Sequence, residues 1–144
     1  MNKRIFVDAN VINDIYDAGR RFHGQSYRCL EYCLEQGMTL VTSCDIVTTV
    51  YYVTARGNDR DKALAALEQV NSIFEIVPFD NRLLADAISL MQRDSDYTDL
   101  EDTLQYLLAM HSGCELILSN DAKFVAKELP LTSSAEFESL GNPG

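Results

Sequence analysis

Histidine is scarce in this chain of 144 residues, which contains only His23 and His111. Two imidazoles supply too little material for a histidine-based metal site or for a Ser-His-Asp triad. The composition therefore argues against two common kinds of hydrolytic site.

Cysteine is also sparse, and the four cysteines form no close C-x-x-C pair. Cys29 and Cys33 lie one helical turn apart in a mixed apolar pattern, whereas Cys44 and Cys114 stand alone in the sequence. Disulfide frameworks and zinc sites need paired or regularly spaced cysteines. We expect reduced and mostly buried thiols instead.

Long apolar runs are absent as well. No stretch approaches the ~18 to 20 consecutive apolar residues of a membrane-spanning helix. The N-terminus passes from Met1 through a short apolar run directly to Asp8, and that run is too short for the apolar region of a signal peptide. We therefore expect a cytoplasmic protein that makes no use of a membrane.

Positive charge is in deficit, because 12 lysines and arginines face 22 acidic residues and leave a net charge of −10. This balance argues against a general nucleic-acid binder, because phosphates need neutralising cations. Bound metal ions would cancel part of the acidic charge, however, and the bases are unevenly spread. They form two clusters in the sequence: Arg20, Arg21, His23 and Arg28, and then Arg56, Arg60 and Lys62.

Apolar residues make up 47% of the chain and are arranged as short strands that alternate with helical patterns. A chain of this size can build one sizeable core. The alternation predicts an α/β domain with a mainly parallel central sheet of about 4 to 5 strands. We place this domain at residues 1–132 and a polar tail at residues 133–144, part of which is expected to dock as a helix fragment.

Local signals predict the later elements of the domain. Thr98 and Glu101 match the T-x-x-E capping box and predict a helix over residues 99–112. A short helix is predicted to begin at Asn120 or Asp121 and to end at Lys127, and a last strand is predicted over residues 129–132.

The acidic residues gather in clusters at points where a strand passes into a helix. Their carboxylates belong to Asp8, Asp45, Asp99 with Asp102, and Asp121. Because the carboxyl ends of parallel strands meet at one edge of a sheet, we expect these groups to lie close together. Two carboxylates at ~4 Å repel by about 4 kcal/mol at an effective dielectric near ~20. A divalent cation held by oxygen ligands explains such a gathering.

Three stretches, taken in order, resemble the PIN-domain nuclease family, and within it the single-domain toxins of VapC type. Residues 5–11 (IFVDANV) resemble the family's opening strand and first catalytic aspartate, followed by Asn or Ser. Residues 99–105 (DLEDTLQ) are similar to its D-x-x-D-A-L-x stretch, and residues 118–124 (LSNDAKF) to its L-[ST]-x-D-x-x-F ending. The resemblance covers nearly the whole chain.

This resemblance implies a three-layer α/β/α PIN-like fold and a function. Asp8, Asp102 and Asp121 would be metal-binding catalytic carboxylates, with Mg²⁺ or Mn²⁺ as the cofactor. The protein would be an endoribonuclease that hydrolyses RNA phosphodiester bonds. It would be a homodimer, and a cognate antitoxin would hold it inactive as the toxin of a type II toxin–antitoxin pair. Bound metal would activate water and stabilise charge on the phosphate, so no histidine base is needed.

One position departs from the family pattern. Family members usually carry a glutamate on the helix after the second strand, and Thr49 stands where it is expected. A threonine hydroxyl is a much poorer Mg²⁺ ligand than a carboxylate. Asp45 lies one turn earlier on the same face, and it either substitutes as a ligand or only favours the helix dipole. Asp99 is open between auxiliary ligand and dipole partner, and we assign Glu101 to the capping box rather than to catalysis.

Polar residues beside the acids are expected to hydrogen-bond to the metal ligands without binding the metal themselves. Asn10, Ser119 and Asn120 would orient a ligand carboxylate, a water or a phosphate, and Thr49 would join them. The start of a helix or the formation of a turn explains the first three nearly as well.

Basic residues suggest where RNA would lie. Arg20, Arg21 and Arg56 either belong to solvated loops or line a groove that receives the RNA backbone or an acidic antitoxin segment. The sequence alone leaves both interpretations open.

Two other functions compete with the nuclease. The first is a catalytically impaired PIN-like module that binds RNA or a protein partner, because Thr49 replaces the second acid. The other is a phosphotransfer enzyme of the haloacid-dehalogenase type, which would need an aspartate two residues after Asp8. The residue there is Asn10, which removes the expected general acid.

Overall fold

The chain folds around five parallel strands, which the computed structural model describes within residues 3–56 and 58–141. Side chains are described as far as residue 137. The strands are β1 Arg4–Val7, β2 Thr39–Ser43, β3 Phe74–Val77, β4 Leu116–Leu118 and β5 Leu131–Thr132. They lie in the order β3-β2-β1-β4-β5, and each pairs in parallel with its neighbours.

Helices cover both faces of this sheet and complete a three-layer α/β/α domain, as predicted. They are α1 Ala9–Tyr16, α2 His23–Glu35, α3 Cys44–Thr54, α4 Arg60–Ile73, α5 Asn81–Arg93, α6 Leu100–His111 and α7 Ser134–Gly141. Within this described part, no helix combines the length and the apolar composition that crossing a membrane requires.

The central strand β1 brings distant parts of the chain to one edge. Phe6 pairs with Val41 of β2 on one side and with Ile117 of β4 on the other, and all three side chains are buried. At the carboxyl end of β1, the backbone N–H of Asp8 donates to the carbonyl of Leu118 at 2.9 Å. The residues that follow β1 and β4 are therefore held side by side.

The segment after β4 differs from the predicted short helix, because it consists of turns. Asp121 accepts a hydrogen bond from the backbone N–H of Lys123 at 2.9 Å, which closes a local turn. Further along, the hydroxyls of Tyr97 and Tyr106 accept the backbone N–H groups of residues 127 and 128, each at 3.1 Å. These tertiary contacts take donors that a continuing helix would use.

The start of α6 also differs from the prediction. Asp99, and not Thr98, is the N-cap, because its carboxylate accepts the backbone N–H of Asp102 at 2.9 Å. The predicted capping box of Thr98 and Glu101 is therefore wrong. The shift by one position frees the Glu101 side chain from any capping role.

Helix α7 packs against α2, where the rings of Tyr32 and Phe137 meet edge to face with centroids 5.8 Å apart. It begins at Ser134, which is fully buried. A docked helix fragment was predicted here, whereas the loose end predicted for the tail falls on residues 142–144, outside the described residues.

None of the four cysteines, all of which the structure describes, forms a disulfide, and Cys29, Cys33 and Cys114 are buried, as predicted for most of them, whereas Cys44 is exposed.

Candidate active site

Asp8 is the best anchored acid at the carboxyl edge of the sheet. It caps α1, and only 5% of the residue is exposed. Its Oδ1 accepts the backbone N–H of Ala9 at 2.7 Å, and its Oδ2 accepts Asn10 Nδ2 at 2.9 Å and the Ser119 hydroxyl at 2.8 Å. Because both oxygens are engaged, the carboxylate has one orientation.

The pKa of Asp8 is raised above its usual value, mainly because burial penalises the charged form. The charge of Asp121 adds to this effect, whereas the hydrogen bonds from Ser119, Ala9 and Asn10 oppose it. The site therefore holds a carboxylate that is desolvated but well supplied with donors.

Asp102 lies in the first turn of α6 and is half-buried. Its pKa is raised to about 7, first by burial and then by the charges of Asp8, Asp99, Asp121 and Glu101, in that order. The three predicted ligands Asp8, Asp102 and Asp121 are thus electrostatically coupled, and they form one acidic group in this sense.

Glu101 belongs to the same group, although the sequence interpretation left it out. Its pKa is raised, first by burial and then by the charges of Asp45, Asp8 and Asp99. Gln105, of which 1% is exposed, donates from Nε2 to Glu101 Oε1 at 3.2 Å and so ties it to the core. The signal that would have found Glu101 is the N-cap at Asp99, which leaves Glu101 without a capping role.

Asp45 is half-buried in the first turn of α3. The Ser43 hydroxyl donates to its carboxylate, and its charge acts on Glu101. The pKa of Asp102, by contrast, responds to Glu101 and the other acids named above. Thr49 is half-buried one turn further along α3. Glu101, which is exposed, is thus the acid through which Asp45 is linked electrostatically to the others.

The predicted supporting residues Asn10, Ser119 and Asn120 form one hydrogen-bonded unit behind Asp8. Asn10 Oδ1 accepts the backbone N–H of Asn120 at 2.9 Å, while its Nδ2 holds Asp8. The Ser119 hydroxyl accepts the backbone N–H of Asp121 at 3.1 Å while it donates to Asp8. Turn formation and ligand support are thus performed by the same contacts.

The group suits a divalent cation by its chemistry, since carboxylate oxygens are the donors that Mg²⁺ and Mn²⁺ prefer. Among the described side chains, however, no three acidic, histidine or cysteine residues are arranged so that they could hold a metal ion. Asp8 is fixed, whereas Asp102 is half-buried and Asp121 is exposed. Asp102 and Asp121 are thus more accessible to solvent than Asp8 is.

The three bases predicted to meet RNA have different surroundings. Arg20 forms an ion pair with Asp14, with Nε 2.8 Å from Oδ1. The Arg21 guanidinium lies 5.1 Å from the centre of the Phe22 ring, and Arg56 is exposed near the end of α3. Arg20 thus has a structural partner, whereas Arg21 and Arg56 remain at the surface.

Comparison with known proteins agrees with this geometry. The PIN domain family matches residues 5–128 of the chain. Ribonuclease VapC1 of Aquifex aeolicus (strain VF5) is 43% identical over 136 residues, which are 94% of this chain and 94% of that protein.

Solved structures share the fold at low identity. VapBC2 from Rickettsia felis, bound to a DNA fragment from its promoter, superposes with a TM-score of 0.70 at 16% identity, covering 90% of this chain and 98% of that one. VapC20 of Mycobacterium tuberculosis, described as a toxin that cleaves the sarcin-ricin loop, has a TM-score of 0.66 at 18% identity over 83% of this chain and 92% of its own. The resemblance read from the three stretches is confirmed, and the chain belongs to the PIN-domain family.

Proposed function

We propose that this chain is a divalent-metal-dependent endoribonuclease that hydrolyses RNA phosphodiester bonds in the cytoplasm, as the toxin of a type II toxin–antitoxin pair. The observation that carries the proposal is the grouping of Asp8, Asp102 and Asp121, in which the pKa of Asp102 rises to about 7. A relative with 43% identity that is named a ribonuclease supports the substrate class.

Asp8, Asp102 and Asp121 would hold Mg²⁺ or Mn²⁺. Such a cation, when bound, lowers the pKa of an attacking water and stabilises the charge that develops on the phosphate. Asp8 contributes an oriented carboxylate, because its three hydrogen bonds fix it before any ligand arrives. Asp102, with a pKa of about 7, gives up the proton on its carboxylate when positive charge enters the group.

Glu101 would supply the carboxylate that the family expects where this chain has Thr49. It lies among Asp8, Asp99 and Asp45, and Gln105 orients it. Asp45 would act on the site only through Glu101, and Asp99 would chiefly cap α6. A crystal structure with bound Mn²⁺ tests this assignment.

The function is tested by incubating the purified protein with a structured RNA pool in Mn²⁺, in Mg²⁺ and in excess EDTA. We expect internal cleavage with either metal and none with EDTA, because the carboxylates need a cation to approach an anionic phosphate. Readdition of Mn²⁺ after EDTA should restore cleavage, which separates metal removal from damage to the protein.

Absence of cleavage under every metal condition would contradict the proposal. If RNA or protein binding persisted without cleavage, the impaired PIN-like module would be the better description, and Thr49→Glu would be the informative change.

A protein antitoxin is the proposed partner, and toxin–antitoxin assemblies among the structures that share the fold, such as VapBC2, support it. We also propose a homodimer. Tyr52 on α3 is 71% exposed, and its ring lies edge-on to that of Tyr51 with centroids 5.5 Å apart. An exposed aromatic pair suits a surface covered by a second copy. Light scattering that gives the mass of a single chain would exclude the dimer.

A further inference from the structure

Asp14 is a buried carboxylate that lies outside the candidate active site. It sits on α1, and only 3% of the residue is exposed. Its Oδ1 accepts Arg20 Nε at 2.8 Å, and its Oδ2 accepts the Ser26 hydroxyl at 2.7 Å and Asn120 Nδ2 at 2.8 Å. A buried charge is costly unless it is paired and hydrogen-bonded, and these three contacts satisfy the Asp14 carboxylate. The presence of a charge at this buried position suggests a role beyond packing.

Asn120 is fixed on every side by its hydrogen bonds. Its Nδ2 meets Asp14 and Ser26, at 2.8 and 3.1 Å, while its Oδ1 accepts the backbone N–H of Ser134 at 2.9 Å and the Ser134 hydroxyl at 3.1 Å. A rotated amide would place its NH₂ group against the Ser134 N–H donor. The side chain therefore has one orientation, which Asp14 and Ser134 fix from opposite sides.

Asn120 is connected to two candidate metal ligands, Asp8 and Asp121. Its backbone N–H donates to Asn10 Oδ1 at 2.9 Å, and Asn10 Nδ2 holds Asp8 Oδ2 at 2.9 Å. Asn120 also precedes Asp121 directly, so an anchored Asn120 fixes the backbone from which Asp121 projects.

We propose that Asp14 is a positioning residue that sets the geometry of Asp8 and Asp121 through Asn120. The inference rests on the proposed function. A carboxylate is needed because three donors converge on it, from Arg20, Ser26 and Asn120. An asparagine at this position would offer one acceptor oxygen and turn an NH₂ group towards donors. Its single oxygen could serve either Arg20 or the pair Ser26 and Asn120, so the contact that anchors Asn120 to a charged, ion-paired carboxylate would be weakened.

The test compares Asp14→Asn with Asn120→Asp and with the double variant that carries both changes. Each single variant should weaken Mn²⁺ affinity about 10-fold, the lower end of what loss of a supporting hydrogen bond costs a metal site. It should also lower kcat while leaving the KM for RNA unchanged. The double variant restores one amide facing one carboxylate with the polarity exchanged, and it should recover most of the affinity.

Two further measurements separate positioning from simple loss of stability. Val70→Ala, in the buried face of α4, should lower Tm without changing Mn²⁺ affinity. Hydrogen exchange at the Asn120 backbone amide should be faster in Asp14→Asn than in wild type at equal stability, whether or not metal is present.

Equal Mn²⁺ affinity and equal Asn120 exchange in wild type and Asp14→Asn would overturn the inference. If Asp14→Asn does not fold, the double variant is compared with Asn120→Asp. A higher Mn²⁺ affinity in the double variant supports the positioning role, and an equal or lower affinity contradicts it. If wild type itself neither binds Mn²⁺ nor cuts RNA, the proposed function fails. The positioning role of Asp14 is then decided by the Asn120 exchange rate alone.

Discussion

Replacement of Asp8 by asparagine is expected to lower the rate of metal-dependent RNA cleavage on the order of 10³-fold. Two unit charges ~4 Å apart interact by about 4 kcal/mol at an effective dielectric near ~20, and a loss of this size in the transition state corresponds to about three powers of ten in rate. The amide would also direct an NH₂ group at donors that now meet both oxygens, from Ala9, Asn10 and Ser119. The measurement is the single-turnover rate at saturating Mn²⁺.

Asp17→Asn provides a matched control for this change. Asp17 is the C-cap of the same helix, and its side chain accepts only the local backbone N–H of Gly19 at 3.0 Å among its described hydrogen bonds. The cleavage rate of Asp17→Asn should stay within about twofold of wild type, because Asp17 is only partly buried and its charge is not among those that raise the pKa of Asp8 or Asp102. A rate for Asp8→Asn similar to that of the control would remove Asp8 from the proposed site.

Replacement of Asp102 by asparagine should stabilise the metal-free protein while abolishing cleavage. The pKa of Asp102 is about 7 in the folded protein, against an ordinary value of 3.8. The folded state therefore holds this proton more tightly than the unfolded state. Its stability falls as pH rises from about 4 to 7, and the full penalty applies above 7.

Asp102→Asn removes this penalty, so the difference from wild type should be absent near pH 4 and largest near pH 8. Because Asp102 is only half-buried, solvent screening reduces the expected gain to ~1–2 kcal/mol, or ~3–6 °C in Tm. The measurement is a series of thermal melts of both proteins in EDTA across this pH range.

Mn²⁺ supplies the second arm of the Asp102 experiment. At pH 8 it should raise the Tm of wild type, because a ligand that binds only the folded state stabilises it, and it should do little for Asp102→Asn. Equal melting curves for the two proteins at pH 8 in EDTA would show that the charged form of Asp102 does not destabilise the folded protein, and would contradict a raised pKa.

The fold was predictable from the sequence because its determinants are local and periodic. The short apolar runs around Phe6 and Ile117 mark buried parallel strands, and Asp8 follows the first of them directly. Once the strands are parallel, their carboxyl ends must meet, so contact between the residues after β1 and those after β4 follows from topology.

The place of Glu101 was not predictable, because Thr98 and Asp99 are both good N-cap residues and the sequence does not decide between them. A shift of one residue turns every side chain of the first turn by about 100° around the helix axis. The predicted cap used Glu101, whereas the observed cap at Asp99 leaves it among the acids.

The role of Asp14 was hidden for a different reason. Its partner Asn120 lies 106 residues away in sequence, and Asn120 in turn meets Asn10 at a separation of 110. No pattern along the chain records such contacts. The turns after Asp121 replace a predicted helix for the same reason, because the hydroxyls of Tyr97 and Tyr106 that hold them come from elsewhere in the fold.

The most direct measurement on the proposed site is anomalous diffraction from crystals of the protein grown with Mn²⁺. We predict a manganese peak bound by carboxylate oxygens of Asp8, Asp102 and Asp121, with Glu101 closer to it than Asp45. A manganese ion bound elsewhere, with the group around Asp8 empty at saturating Mn²⁺, would contradict the proposed metal site and the nuclease mechanism that depends on it.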